Sequence, residues 1–296
     1  MRFTKNGTLK ILQLTDIHYV EGNETDRKTA NLVKKLIEWE RPDLIVLTGD
    51  TVYGEGNIKM VPEIFGLIAG YGIPWTFVFG NHDDEEIGNR AELFKEVVKL
   101  PGCLAYDDQT AGAGVGNHVV DITDESGKIV WRLMLIDSGN YLNGNSEEGY
   151  DFIKESQIKW YESKVRENAG GAVAFFHIPL QEYEEAWRGK HVGHKNEGIC
   201  ASQVNTGLAE SMVSDGVTRA VFAGHDHIND YIGVYKSILL GYGRATGYNT
   251  YGEEGFKHGG RVILLSEDDP KGFETWVRLD DGSIEDDFRT SVLTGH

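Results

Sequence analysis

The sequence predicts an α/β protein with two sheet regions, and three observations predict it. Apolar, β-rich runs alternate with amphipathic helical segments through the early part of the chain, the pattern of β-α-β units with parallel strands. From His118 onward, shorter runs separated by turn residues read as hairpins that open a second sheet region. Five of the apolar runs end in Asp, Asn or His, so adjacent parallel strands would deliver these side chains to one edge of a sheet.

The first run, Leu9–Leu14, is a short strand with Thr15-Asp16-Ile17-His18 as its exit. Asp16 and His18, two apart in an extended segment, point the same way, which suits two ligands gripping one ion. Asp26–Glu40 sets Ala30, Val33, Leu36 and Ile37 on one face and ends before Arg41-Pro42, as a crossover helix does. Leu44–Leu47 is then a buried strand, and Gly49 allows the sharp exit that turns Asp50 inward. A plain Gly-Asp turn is the simpler alternative, but in this pattern Asp50 is the candidate centre of a site. Ile58–Ala69 is a second helix stopped by Gly70 and Gly72, followed by a third strand, Trp75–Phe79. Its exit, Gly80-Asn81-His82-Asp83, sets a neutral amide oxygen next to an imidazole, an unusual pairing for a turn.

A helix over Arg90–Lys99 gives way to Pro101-Gly102, and His118–Thr123 with Ile129–Ile136 forms an antiparallel hairpin. His118 reads as structural or exposed. The Gly- and Asn-rich stretch Ser138–Gly149 is a loop near the mouth of the site, and Ser156–Glu167 is another amphipathic helix. Ala172–Phe176 is a hydrophobic strand ended by His177. Leu180–Gln203 lacks an apolar period and is long for a loop, so it either lines an entrance or is a surface excursion. Ala220–Ala223 leads into Gly224-His225-Asp226-His227, where two histidines one residue apart can face two ions or chelate one. Tyr231–Leu240 is a further hairpin, and Gly241–Gly260 is a glycine-rich, aromatic loop holding Arg244. Arg261–Leu265 and Phe273–Leu279 are the last strands, and the acidic tail beyond them reads as solvated surface.

Composition narrows the possible functions. The chain has 296 residues, 40% of them hydrophobic, with no break between halves, so one domain over 1–296 is expected. Lys plus Arg number 29 against 47 Asp plus Glu, a formal charge of −18, which argues against a broad nucleic-acid-binding face. Bound metal ions are the way such an acidic chain would make a local anion site. Cys103 and Cys200 lie far apart and outside any CxxC pattern, leaving a disulfide open. No apolar run approaches about 18 residues, so no membrane span is expected. Met1-Arg2-Phe3 leads almost directly into the first strand without an apolar leader. That suits either a cytoplasmic protein or a secreted one whose leader has been removed.

Taken in order, Asp16-Ile17-His18, Gly49-Asp50, Gly80-Asn81-His82-Asp83, His177 and Gly224-His225-Asp226-His227 resemble the motif series of the calcineurin-like metallophosphoesterase superfamily. The resemblance spans roughly residues 9 to 227. It implies a sandwich of two mixed sheets flanked by helices, four layers in all. It also implies two divalent or trivalent transition-metal ions. One would be held by Asp16, His18 and His227, the other by Asn81, His177 and His225, with Asp50 bridging both. Oxygen and imidazole donors without thiolate suit Mn, Fe, Zn or Co better than Mg or Ca. Hydroxide between the metals would attack phosphorus, and His82 would stabilise developing charge or protonate the leaving oxygen, with Asp83 orienting its imidazole.

Asp50-Thr51-Val52-Tyr53 also resembles the G-D-x-x-Y element of purple acid phosphatases. Those enzymes carry D-x-G where this chain has Asp16-Ile17-His18, so the chain is similar to their single-domain relatives, with Tyr53 beside a ligand rather than on a metal. Arg244 is the candidate to grip a phosphate, and a salt bridge to a carboxylate is the alternative. The substrate implied is a small phosphomonoester or a phosphoprotein. A phosphodiesterase and, further off, a protein-binding scaffold of the same fold are the competing readings, and a nuclease is disfavoured by the charge.

Overall fold

In the computed structural model, which describes residues 1–54, 57–85, 89–167 and 170–289, the chain begins as the sequence reading expects. Strand β1 (Thr8–Leu14) runs through helix α1 (Glu24–Glu40) to β2 (Leu44–Thr48). The helix starts where Asn23 Oδ1 accepts from Asp26 N at 3.0 Å and the Asp26 carboxylate accepts from Asn23 N in return. It stops at Arg41, whose left-handed backbone sends the chain into Pro42. A short 3-10 turn (Asn57–Met60) and α2 (Val61–Gly70) lead to β3 (Trp75–Val78) and α3 (Arg90–Val97).

The hairpin of β4 (His118–Thr123) and β5 (Ile129–Leu135) follows, then α4 (Glu155–Arg166), β6 (Gly171–Phe175), α5 (Tyr183–Arg188) and the two-residue β7 (His191–Val192). Helix α6 (Leu208–Asp215), β8 (Thr218–Ala223), β9 (Ile232–Tyr235), β10 (Ile238–Tyr242), β11 (Gly259–Ser266), β12 (Phe273–Leu279) and β13 (Ile284–Arg289) complete the described chain.

The strands form two mixed sheets, ordered β13-β12-β11-β1-β2-β3 and β4-β5-β6-β8-β10-β9-β7. In each a parallel block, β1-β2-β3 or β5-β6-β8-β10, is flanked by antiparallel strands. Period-two alternation decides which core each side chain joins. Leu9, Ile11 and Val46 face inward and meet Leu133, Val173 and Phe222 of the other sheet. Leu12 and Leu47 face outward and pack under Leu36, Ile64 and Phe94 of α1, α2 and α3. On the far side Ala174, Val221 and Leu240 pack under Tyr161, Tyr183 and Met212. The result is the expected helix, sheet, sheet, helix layering. The parallel blocks are in register near their ends, Leu14 beside Leu47, Thr48 beside Val78 and Phe175 beside Phe222, so their exit loops emerge together.

Three expectations change. Leu180–Gln203 is not a bare loop, since α5 buries Tyr183 and Ala186 in the second core. Helix α6 had no counterpart in the sequence reading, because its apolar face is only Leu208, Ala209 and Met212. The acidic tail is not all solvated surface: β13 pairs antiparallel with β12, Ile284 beside Arg278, as an edge strand where charged residues are well suited. Residues from 290 onward lie outside the described part. Cys103 and Cys200 are both free thiols. Among the described residues no helix is long and apolar enough to cross a membrane.

His118 is fully buried, not exposed. Its Nδ1 lies 2.7 Å from the Gly116 carbonyl and its Nε2 2.6 Å from Thr76 Oγ1, which ties β4 of one sheet to β3 of the other. Burial lowers its pKa from 6.5 to about 4. Between those values the unfolded chain takes up a proton that the folded protein refuses. Stability is therefore lost as pH falls from about 6.5 to about 4, by a total on the order of 3 kcal/mol, and is level below that. Urea unfolding at pH 7.5 and 4.5 is expected to show a pH dependence smaller by about this amount in His118→Gln; an unchanged dependence would refute the assignment.

Candidate metal centre

The exit loops of β1, β2, β3, β6 and β8 bring Asp16, His18, Asp50, Asn81, His177, His225 and His227 together. Their backbones interlock before any side chain is considered. Asp16 N donates to Gly49 O at 3.1 Å, His18 N to Asp50 O at 2.9 Å, and Gly224 N to His177 O at 3.1 Å. Gly49 has φ +91, and a Cβ there would stand 2.5 Å from His177 Nδ1, so only glycine lets the β2 exit pass so close to a side chain of the other sheet. Eight non-glycine residues have positive φ among those described, and four of them, Asp16, His18, Asp50 and His225, belong to this cluster. Each carries on the order of 1 kcal/mol of strain, so the surrounding structure forces these side chains inward.

The side chains form two buried groups, Asp16 with His18 and His227, and Asp50 with His177 and His225. Within each group the potential ligand atoms lie within 4.8 Å of one another. Asp50 Oδ2 stands between the groups, 3.5 Å from His18 Nε2 and 3.1 Å from His177 Nε2. Asn81 Oδ1 lies 3.1 Å from His177 Nε2, and His227 Nε2 lies 3.6 Å from Asp16 Oδ1. Four atoms of the cluster, His18 Nε2, Asp50 Oδ2, His225 Nε2 and His227 Nδ1, are buried and make no hydrogen bond among the described residues. Buried polar atoms are rarely left so, and four converging on one small volume suit the donor set of a pair of cations.

Electrostatics point the same way. Burial, helped by the neighbouring His177, lowers the pKa of His225 to about 3. Burial and His18 lower that of His227 to about 2. Both rings are therefore neutral at ordinary pH, each with a lone pair available, as metal ligation requires. His177 goes the other way: burial disfavours its charge, but the Asp50 carboxylate outweighs it and raises the pKa to about 9. Burial raises Asp16, while for Asp50 the histidines more than offset burial and lower it.

His82 sits at the rim, partly exposed, with Nε2 4.0 Å from Asp50 Oδ2. Its backbone N–H donates to Asp50 Oδ1 at 2.9 Å. Burial works against its charged form, but Glu85 and Asp50 outweigh burial and raise its pKa. Asp83, expected to orient this imidazole, does something else. Its buried carboxylate accepts from the backbone N–H groups of Gly80, Asp50, Thr51 and Val52 at 2.7, 2.9, 2.8 and 3.0 Å, knitting two exit loops together. The carboxylate beside His82 is Glu85, with Oε2 2.8 Å from Nδ1. Its three-residue spacing from His82 in a turn was the only signal available in sequence.

Arg244 is also corrected. It is buried, its guanidinium is paired with Asp230, its Nε donates to Lys257 O at 2.6 Å, and it lies 3.4 Å over the Phe256 ring. Its Nε and Nη1 are thus engaged within the protein, the salt bridge that the sequence offered as the alternative. A third group, His194, Asp230 and Asp286, meets that arginine through Asp230, which also lies 3.4 Å from His194 Nδ1.

Tyr53 stacks on His18, with centroids 4.9 Å apart, and meets His82 edge-on at 4.8 Å, which puts it beside a candidate ligand as expected. Three loops, Ser138–Gly149, Leu180–Gln203 and Gly241–Gly260, all reach the site. Ser138–Gly149 supplies Tyr141, which donates to Glu85 at 2.8 Å. Gly241–Gly260 supplies Tyr251, 4.1 Å from the His227 ring, and Leu180–Gln203 supplies Glu197, which accepts from the Tyr251 hydroxyl at 2.6 Å. Tyr150, 4.4 Å from His225, was not singled out in sequence.

Comparison with known proteins agrees with this geometry. The model of the calcineurin-like phosphoesterase family matches residues 9–229. The Arabidopsis thaliana protein named "Probable inactive purple acid phosphatase 29" is 32% identical over 330 residues, covering 95% of this chain and 85% of that one. "Phosphatase DCR2" of Saccharomyces cerevisiae is 33% identical over 271 residues, 77% of this chain but 45% of that longer protein. Among solved structures, a dimetal phosphatase from Danio rerio shares the fold with a TM-score of 0.63 at 13% identity, covering 95% of this chain and 98% of that one. On the family match and the extent of these relatives, the chain belongs to the calcineurin-like phosphoesterase family.

Proposed function

We propose that the chain is a two-metal phosphomonoesterase. The observation that carries this reading is the complete set of seven inward-facing donors, four of whose atoms are buried without a hydrogen bond. Asp16, His18 and His227 would hold one cation and Asn81, His177 and His225 the other, with Asp50 shared. The donor set favours Mn, Fe, Zn or Co. Two such ions would supply an activated water and a clamp on the phosphate oxygens.

The protein's own groups do the rest. His82, partly exposed and on the rim with Nε2 4.0 Å from Asp50 Oδ2, would donate a proton to the leaving oxygen, a role worth typically about 10²–10⁴ in rate. Tyr53, Tyr141, Tyr150 and Tyr251 wall the mouth with aromatic faces against the histidines. That wall suits a small ester or an exposed phosphorylated side chain better than an extended polyanion.

One observation favours a second reading, a non-catalytic binding scaffold: a relative matching along most of this chain carries the word inactive in its name. Metal analysis of protein purified without chelator, with turnover of phenyl phosphate and its bis ester measured across added Mn, Zn, Fe and Co, separates the alternatives. Near two ions per chain with monoester turnover exceeding diester turnover is expected. Full metal occupancy without hydrolysis of either ester would favour the scaffold, and preferential diester turnover would make the chain a phosphodiesterase.

A further inference from the structure

We propose that Glu85 is the positioning residue for His82, fixing its imidazole with Nδ1 held by a carboxylate and Nε2 turned toward the reacting phosphoryl group. The proposal rests on the phosphomonoesterase reading for its chemistry but on contacts alone for its geometry. Glu85 Oε2 lies 2.8 Å from His82 Nδ1, and its other oxygen, Oε1, accepts from the Tyr141 hydroxyl at 2.8 Å. That hydroxyl in turn accepts from Asn81 Nδ2 at 3.1 Å, and Asn81 Oδ1 is directed to His177 Nε2. A continuous line of contacts therefore runs from a candidate metal ligand, through Tyr141 and Glu85, to the candidate acid.

Each link removes a freedom that would otherwise blur the site. A partly exposed histidine can flip its ring and present either nitrogen, and a carboxylate fixed at Nδ1 selects one orientation and one tautomer. A surface glutamate would be too mobile to do this alone. Tyr141 occupies its second oxygen and so holds it in place. The same hydroxyl distinguishes the two ends of the Asn81 amide, leaving the oxygen to face inward. Asp83 and Asp84, the nearer acids in sequence, are otherwise engaged: Asp83 accepts from four backbone N–H groups and Asp84 pairs with Arg90 at 2.9 Å.

In the reaction, water forms the new P–O bond and releases one proton to solvent, while the ester P–O bond breaks and its electron pair passes to the leaving oxygen. The proton on His82 Nε2 moves to that oxygen, giving alcohol and phosphate, and the ring is left neutral with Nδ1–H still directed at Glu85. Tyr53 and His18, stacked on each other, both meet the His82 ring at a steep angle from one side and limit its tilting that way.

The test uses the full chain with and without zinc, comparing wild type with Glu85→Ala, Glu85→Gln and Tyr141→Phe. Nitrogen-15 spectra of the histidines, taken where His82 is neutral, are expected to show the Nδ1–H tautomer in wild type. Glu85→Ala should show mainly the Nε2–H tautomer typical of free histidine, and the other two variants mixtures. In kinetics Glu85→Ala should lose on the order of 10-fold to 100-fold in kcat with KM within about threefold. The loss should be larger for an alkyl phosphate, whose leaving oxygen needs a proton, than for p-nitrophenyl phosphate. Glu85→Gln, which can still accept at Nδ1, should recover part of it. An unchanged tautomer in Glu85→Ala would overturn the proposal even if turnover fell. If wild type proves inactive with every metal, the phosphomonoesterase reading fails, while the tautomer measurement still decides the role of Glu85.

Discussion

Asp50→Ala is expected to bind less than half the metal of wild type and to lose turnover on the order of a thousandfold or more. One oxygen, Asp50 Oδ2, faces both groups of donors, so its removal would take a donor from each group at once. The second oxygen accepts from the backbone N–H of His82, so the same substitution loosens the loop that carries the candidate acid. Burial leaves His177 dependent on this carboxylate for its charged form, and without it the ring should titrate well below its present value near 9 in metal-free protein. Asp50→Asn, which preserves shape and one acceptor, should fall between the two. Elemental analysis of the dialysed, metal-loaded proteins decides the matter. Equal metal content in wild type and Asp50→Ala, in variants whose circular dichroism shows them folded, would contradict a shared ligand.

His82→Ala is expected to behave in the opposite way, keeping both ions and losing turnover by about 10²–10⁴. The ring is partly exposed and makes its contacts at the rim, with Nε2 4.0 Å from Asp50 Oδ2 and Nδ1 beside Glu85. Removing it takes nothing from either donor group, and the backbone N–H that bonds Asp50 survives the substitution. The loss should appear in kcat more than in KM and should shrink as the leaving group becomes more acidic. Loss of metal from His82→Ala would place the ring among the ligands instead.

The two-sheet architecture and the convergence of seven side chains were legible because each rests on local sequence followed by one general rule. An apolar run ending in Asp, Asn or His can be read residue by residue, and parallel neighbours put such ends together. What sequence could not settle were choices made by atoms distant along the chain or separated by a single turn. Asp83, Asp84 and Glu85 are three acids in one turn, and it takes the β2 exit, whose N–H groups converge on Asp83, and Arg90, which pairs with Asp84, to leave Glu85 for His82. Arg244 has its partner in Asp230, a residue from a different loop. Helix α6 and strand β13 are short, and they owe their form to the sheet and helices they meet rather than to a pattern of their own.

The left-handed backbone at Asp16, His18, Asp50 and His225 sets an evolutionary tension. At these four positions glycine would relieve torsional cost, while no other residue type would serve the proposed chemistry. Exchange for glycine would relieve that torsion against the greater freedom it gives the unfolded chain, and would silence the proposed chemistry by the same step. Relatives that have given up turnover should therefore carry their signature in the conformation of these loops before the rest of the fold has changed.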